Sequence, residues 1–270
     1  DQRTTEAVKE FSRENNKNLT STKSNILFNG MPTRATARQT AIDIFIEHFD
    51  NRILVQLDDD VILRKGWWDE AAEAFKSPKT GMFYGIPYDV NDLKNLQISI
   101  STNKITHAIK SFYERGGTND IAFKRETLIS IKKNYGIIPP ELHIYEDAWL
   151  LRAVECVNYL PSIGRIGAIQ YDPIKINRIE NSSTFDTDIK YIKIASKYGI
   201  IKSVNLTKDI LGLLGPIVGY LPWTVKNITK LGIKNGIKVT NKKQYLKLIY
   251  KYYKIKNRLS FSCNKLMNRK

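Results

Sequence analysis

Cysteine and histidine are scarce in this chain: 270 residues carry two cysteines and three histidines. Cys156 and Cys263 lie far apart, and His48, His107 and His143 are scattered. That excludes a zinc-type Cys/His spacing and, with so few thiols, points to a reducing compartment rather than a disulfide framework. Long apolar runs are missing too. No stretch reaches the roughly 18 residues that a membrane-spanning helix needs, and no secretory signal peptide is expected from the residues given. Acidic residues are almost absent from the last quarter. Residues 201–270 hold 16 Lys or Arg and one acid, Asp209. The formal net charge of +16 therefore belongs to the C-terminal segment, and the rest of the chain is close to neutral.

What is present alternates between helical and extended patterns. Thr4 to Asn15 and Ala35 to Phe49 carry apolar residues at helical spacing. Asn25–Phe28, ahead of the Asn29-Gly30 turn, and Ile53–Leu57 read as short strands. Trp68–Phe75 is expected to be helical, Thr80–Ile86 extended, Asp120–Lys124 extended, and Glu126–Lys133 and Glu146–Glu155 helical, with a strand also possible at Gln97–Ser101. This order predicts an α/β layer fold with a mostly parallel central sheet flanked by helices.

The chemistry concentrates at Asp58-Asp59-Asp60, directly after the apolar run Ile53–Leu57. In open α/β sheets ligands bind beyond the carboxyl ends of strands. Residues i and i+2 of an extended segment point the same way, so Asp58 and Asp60 are able to converge on one target. Two carboxylates held that close repel unless a cation sits between them or one is protonated. A hard divalent cation, Mn²⁺ or Mg²⁺, suits such oxygen ligands. Downstream, Glu146-Asp147 opens a helix, where the dipole favours negative charge.

Four features in order carry a resemblance: Asp1 to Thr4; Gly30 followed by Arg38-Gln39; the Asp58–Asp60 triplet; and Gly117-x-Asn119 followed by Glu146-Asp147-x-x-Leu150-x-x-Arg152. Together they resemble the family 2 glycosyltransferases, which have the nucleotide-sugar-binding fold called GT-A. The resemblance covers residues 1–178 and implies a sugar transfer from a nucleoside-diphosphate donor. It makes Asp60 the main metal ligand, with Asp58 beside it and nearer the ribose. It makes Asp147 the general base, with Glu146 orienting or binding the acceptor. Asp1, Gly30 and Arg38 fall on the donor side; Gly117 and Asn119 line the acceptor-side loop. One base and direct attack would invert the anomeric centre. Arg38-Gln39 departs mildly from the family's Arg-Asn. Where the family often has a histidine, this chain reads Gln170-Tyr171-Asp172-Pro173, and Arg178 is the candidate to neutralise the diphosphate. The family's first strand is expected to lie ahead of Asp1, so the sequence reads as beginning inside a longer protein. Arg34 is either a phosphate contact or a surface residue. Trp67, Trp68 and Trp149 read as core or sugar-stacking, with Trp149 placed on the acceptor side.

Residues 179–270 form a helical, basic extension. Ile210 to Trp223 is apolar but interrupted by Gly and Pro, too short to span a bilayer. From Asn241 on, Lys243, Lys247, Lys251, Lys254 and Arg258 share one spacing, and Tyr245, Leu248, Ile249, Tyr252, Ile255 and Leu259 share another. That pattern suits an anionic membrane surface. Packing on the domain and nucleic-acid binding remain alternatives, nucleic acid the weaker. The leading expectation is an inverting, metal-dependent glycosyltransferase, peripheral on the cytoplasmic membrane face, with a glycan or lipid-linked acceptor. The alternative is a non-enzymatic nucleic-acid or phosphate-binding protein on a degenerate version of the same fold. A nucleotidyltransferase is a more distant third.

Overall fold

A computed structural model describes residues 2–15, 22–58, 61–86, 88–89, 120–142, 145–170, 182–201, 205–211, 213–214, 224–225, 228–229 and 231–267. Asp1, Asp60, Gly117, Asn119 and Arg178 lie outside these, as does the segment expected to hold a strand at 97–101.

The helices are α1 (Gln2–Glu14), α2 (Arg34–His48), α3 (Trp67–Lys76), α4 (Arg125–Tyr135), α5 (Glu146–Cys156), α6 (Ser182–Lys197), α7 (Leu206–Leu211) and α8 (Ile233–Ser260). The strands are β1 (Ile53–Leu57), β2 (Val61–Ile62), β3 (Thr80–Gly85), β4 (Tyr88–Asp89), β5 (Asp120–Lys124), β6 (Leu160–Gly164) and β7 (Ile169–Gln170). Asn25–Phe28 is not a strand. It leads into a two-residue turn in which Asn29 (φ 52) and Gly30 (φ 75) both take left-handed backbone, closed by a single Phe28–Met31 bridge. Asn-Gly is the pair such turns favour.

The main sheet has the order β1-β5-β3-β6. β5 is antiparallel to both neighbours, pairing Leu57 with Asp120 and Tyr84 with Ile121, while β3 and β6 are parallel. The sheet is thus mixed, not mostly parallel as expected. The reason lies in the connections: β1, β3 and β6 run the same way, as strand–helix–strand connections favour, and β5 is inserted against them between β1 and β3. A smaller sheet, β2-β7-β4, continues past the end of β1.

Alternation along the strands divides the core. Met82, Tyr84, Ile121 and Phe123 join the larger cluster, which also takes Trp149, Leu150 and Val154 from α5. Phe83 and Ala122 face the other way, against Trp67, Ala71 and Phe75 of α3. Each large side chain buried in this way contributes about 1.5–3 kcal/mol. The extension shares the larger cluster: Ile192, Ala195, Tyr198 and Leu266 are buried in it, and Leu246, Ile249, Tyr250 and Tyr253 of α8 pack against it. The inward seam of α8 therefore differs from the two faces read off the sequence. Ile249 turns inward, and Lys254 is buried in an ion pair with Asp209 at 2.7 Å.

The cysteines also depart from expectation. Cys156, at the end of α5, is disulfide-bonded to Cys263, 107 residues away. Sequence distance hid a pairing that the fold brings together, and with both cysteines bonded no free thiol is left to point to a reducing compartment. A 3₁₀ turn, Cys263–Leu266, is bolted to α5 by this bond and by the Trp149 indole N–H, which donates to the Leu266 carbonyl at 3.3 Å. Closing so long a loop restricts the unfolded chain. Cys156→Ser with Cys263→Ser is expected to cost about 2–4 kcal/mol, read as a lower denaturant midpoint. An unchanged midpoint under oxidising conditions would show that the bond adds nothing.

Candidate active site at the β1 and α5 termini

The site is assembled by the start of α2. Thr33 and Thr36 cap each other's backbone: the Thr36 N–H donates to Thr33 Oγ1 at 3.2 Å, and the Thr33 N–H to Thr36 Oγ1 at 2.8 Å. Such a box satisfies donors that a helix start leaves open. Thr33 Oγ1 also donates to the Pro140 carbonyl at 2.9 Å, and Gln39 Oε1 accepts from the Ile138 N–H at 2.9 Å. These two bonds fix the first turns of α2 against the segment that leads into α5.

Arg38 then reaches two elements at once. Its Nη2 lies 2.7 Å from Asp58 Oδ1 and its Nε 3.2 Å from Glu146 Oε1. The guanidinium fork suits two acceptors in one plane. The end of β1 and the start of α5 are thereby joined by one mostly buried cation. Glu146 is itself buried. Burial pushes its carboxyl up, and Arg38 opposes that shift.

Beside it, Asp147 Oδ1 accepts the Ala148 N–H at 2.8 Å. Burial, reinforced by the charge of Glu146, pushes the Asp147 carboxyl up to about 8. Tyr145 precedes this pair with φ 77 and ψ 15. Left-handed backbone at a residue with a side chain costs about 1–3 kcal/mol and persists where the surroundings impose it. Here it turns the chain so that α5 begins with both carboxylates at its N-terminus.

Two further groups were missed in the sequence. Tyr84 is buried in β3 on the Asp58 side of the sheet. Burial raises its hydroxyl pKa, and Asp120, Asp147 and Asp58 raise it further. Asp120 was read only as the first residue of a strand, yet it is fully buried. Its Oδ2 accepts from the Trp67 indole at 2.6 Å and from the Ala168 N–H at 2.9 Å, while Oδ1 has no hydrogen-bond partner among the described residues. Burial pushes its carboxyl up to about 7 against those two bonds, and Asp58 adds to the rise. A carboxylate opening an apolar strand was the available signal. Gly85 leaves room for it: a Cβ there would meet Asp120 Oδ2 at 2.4 Å and the Gly167 backbone at 2.6 Å.

The predicted residues thus separate. Arg38, Asp58, Glu146 and Asp147 come together. Trp149 does not: it is fully buried in the core and offers no face to an acceptor. Trp67 is likewise buried and spent on Asp120, whereas Trp68 is half exposed. Arg34 is exposed and acts on Glu146 only through its charge. Gly30 serves its turn, with open space where a Cβ would be.

Whether a divalent cation suits this site can be judged from the charges. Asp58 and Glu146 meet one bridging guanidinium, and two further carboxyls, Asp147 and Asp120, are held above their ordinary values, in each case first by burial. Arg38 engages one oxygen of Asp58. The Asp58 carboxylate is an oxygen donor of the kind a hard cation takes. Among the described residues, no three His, Cys, Asp or Glu side chains form a complete metal group.

No protein-family model matches the chain, and no curated protein does. Among solved structures it is similar to the mannosyltransferase PcManGT from Pyrobaculum calidifontis, determined in complex with GDP-Man and Mn²⁺, at 14% sequence identity and a TM-score of 0.44. The likeness covers 71% of this chain and 51% of that one, so the chain spans about half the length of that enzyme.

Proposed function

We propose that the chain is a nucleotide-sugar-dependent glycosyltransferase that moves a sugar from a nucleoside diphosphate to a hydroxyl of a glycan or lipid-linked acceptor, with inversion. The observation that carries this is the Arg38 bridge from Asp58 to Glu146. It joins a strand-end carboxylate suited to the donor side with a helix-start carboxylate pair suited to the acceptor side.

Each residue has one task in this reading. Asp60, two residues on from Asp58, would be the main ligand of Mn²⁺ or Mg²⁺, with Asp58 beside it. That cation, when bound, acts as a Lewis acid on the departing diphosphate. Arg38 fixes the orientation of both carboxylates. Glu146, held by Arg38, keeps a negative neighbour beside Asp147 and so raises its basicity. Asp147 takes the acceptor's proton as the hydroxyl attacks. A single base and one displacement invert the anomeric carbon.

The test is a screen of nucleoside-diphosphate sugars, with and without Mn²⁺, by thermal shift, followed by product analysis with the hits. A donor that raises the melting temperature only with the cation, and is then consumed, is the expected result. No shift with any donor would remove the enzyme reading.

A further inference from the structure

Helix α8 carries two apolar sides, and the fold uses one of them. Leu246, Ile249, Tyr250 and Tyr253 pack on the core, with Lys254 and Asn257 buried on the same side. A second stripe points away. Tyr245, Leu248, Tyr252, Ile255 and Leu259 follow three- and four-residue steps, which align them on one helix face. Tyr245 is 53% exposed, Tyr252 57% and Leu259 72%. Leu248 and Ile255 between them are partly exposed. Packing on the domain therefore accounts for one face only.

We propose that this outward face of α8 is a docking surface for an anionic lipid bilayer. Charge decides the occupant. The 28-residue helix contains no Asp or Glu, and Lys247, Lys256 and Arg258 beside the stripe are exposed. A second copy of the helix would also match the three-and-four spacing, since coiled-coil seams have it. Such a pair would set lysines against lysines with no acid to offset them. A nucleic acid would accept the charge and stack on Tyr245 and Tyr252, but it has no use for Leu248, Ile255 and Leu259 in the same row, because single strands are held by aromatic stacking and a basic groove. Only a surface with an anionic layer over an apolar one satisfies both halves of the pattern. An interfacial helix settles with its apolar face about 5–10 Å deep and its basic residues at the headgroups. The neighbouring α7, tied to α8 by the Lys254–Asp209 pair, adds exposed Ile210 and Leu211. Among the described residues no helix is long and apolar enough to cross a membrane, so the contact is one of lying on the surface.

This inference stands apart from sugar transfer, and its test needs no donor. The full chain is sedimented with vesicles of phosphatidylcholine alone or mixed with phosphatidylglycerol, at low and high salt. Binding to the mixed vesicles only, weakened by salt because exposed charges are screened over about 8–10 Å, is expected. Tyr245→Ser/Tyr252→Ser/Leu259→Ser should lower that binding at least about tenfold, a loss of 1.4 kcal/mol, with an unchanged circular dichroism spectrum. Lys247→Glu/Lys256→Glu/Arg258→Glu should do the same by charge, and carries the test if the first variant fails to fold. Equal binding to neutral vesicles, no binding at all, or full binding by both variants overturns the proposal. So does a single-stranded oligonucleotide that displaces the vesicles, or a dimer in sedimentation equilibrium that the serine variant abolishes.

Discussion

Asp147→Asn is expected to leave donor affinity nearly unchanged and to lower turnover by a factor of about 10² to 10⁴, the usual worth of a general base. The amide oxygen still accepts the Ala148 N–H, so the helix start is kept, but it takes no proton. The pH dependence separates this role from a structural one. Burial first, and Glu146 second, push Asp147 from 3.8 up to about 8. The base works deprotonated, so wild-type turnover should climb as pH rises through about 8 and then level, and the variant should lack that limb. Stability runs the opposite way. A carboxyl whose folded pKa lies above its unfolded value binds more protons when folded between the two, so stability falls as pH rises across that window. The variant should lose this slope and exceed wild type in stability at the alkaline end. Near-normal transfer by the variant would remove Asp147 from the chemistry and direct attention to Glu146.

Arg38→Ala is expected to act on fold and function together. It strips the cation from two carboxylates at once, and Glu146 stays buried without it. Removing one partner of a buried pair costs about 3–5 kcal/mol, here nearer the lower figure because Asp58 is partly exposed to water. The loss should depend on pH. Glu146 already lies above its ordinary value through burial, with Arg38 holding it down. Without Arg38 it rises further, so the folded variant binds a proton over a wider range. The gap from wild type should be small at a pH low enough to protonate Glu146 in either protein, and should widen as pH rises. Arg38→Lys keeps the charge but not the fork, and should recover stability more than donor affinity. Denaturant melts at two pH values and donor titrations read both effects. A gap that does not change with pH would mean that the ion pairs are not what Arg38 contributes.

How much of this was legible beforehand depended on whether the information was local. Ile53–Leu57, the Asp58 terminus and the Glu146-Asp147 helix start were readable because apolar patterning and helix-end charge act within a few residues. The antiparallel insertion of β5 was not, because strand direction is set by connections and neighbours rather than by the strand's own sequence. Arg38 could be marked as a candidate, but its grip on two elements depends on Thr33 and Gln39 fixing α2 against residues 138–140. Asp120 was hidden for a similar reason: what makes it unusual is burial among Trp67, Ala168 and Gly85, supplied by three separate segments. On α8 the helical spacing was visible and the helix is there. Its rotation was not, since a helix with apolar residues on two sides leaves open which one meets the domain. Ile249 and Lys254 were therefore assigned outward and are found inward. The Cys156–Cys263 bond joins segments too far apart in sequence for spacing to suggest it.

The most direct measurement is a calorimetric titration of a nucleoside diphosphate, with and without Mn²⁺, into the wild-type chain and into Asp58→Asn. If the β1 terminus holds the donor through a cation, wild type should bind more tightly with Mn²⁺ present. The variant, with its fold intact, should lose more than about tenfold in affinity, 1.4 kcal/mol or more, together with the cation dependence. Equal affinity and equal Mn²⁺ dependence in the two proteins would contradict the assignment of this site.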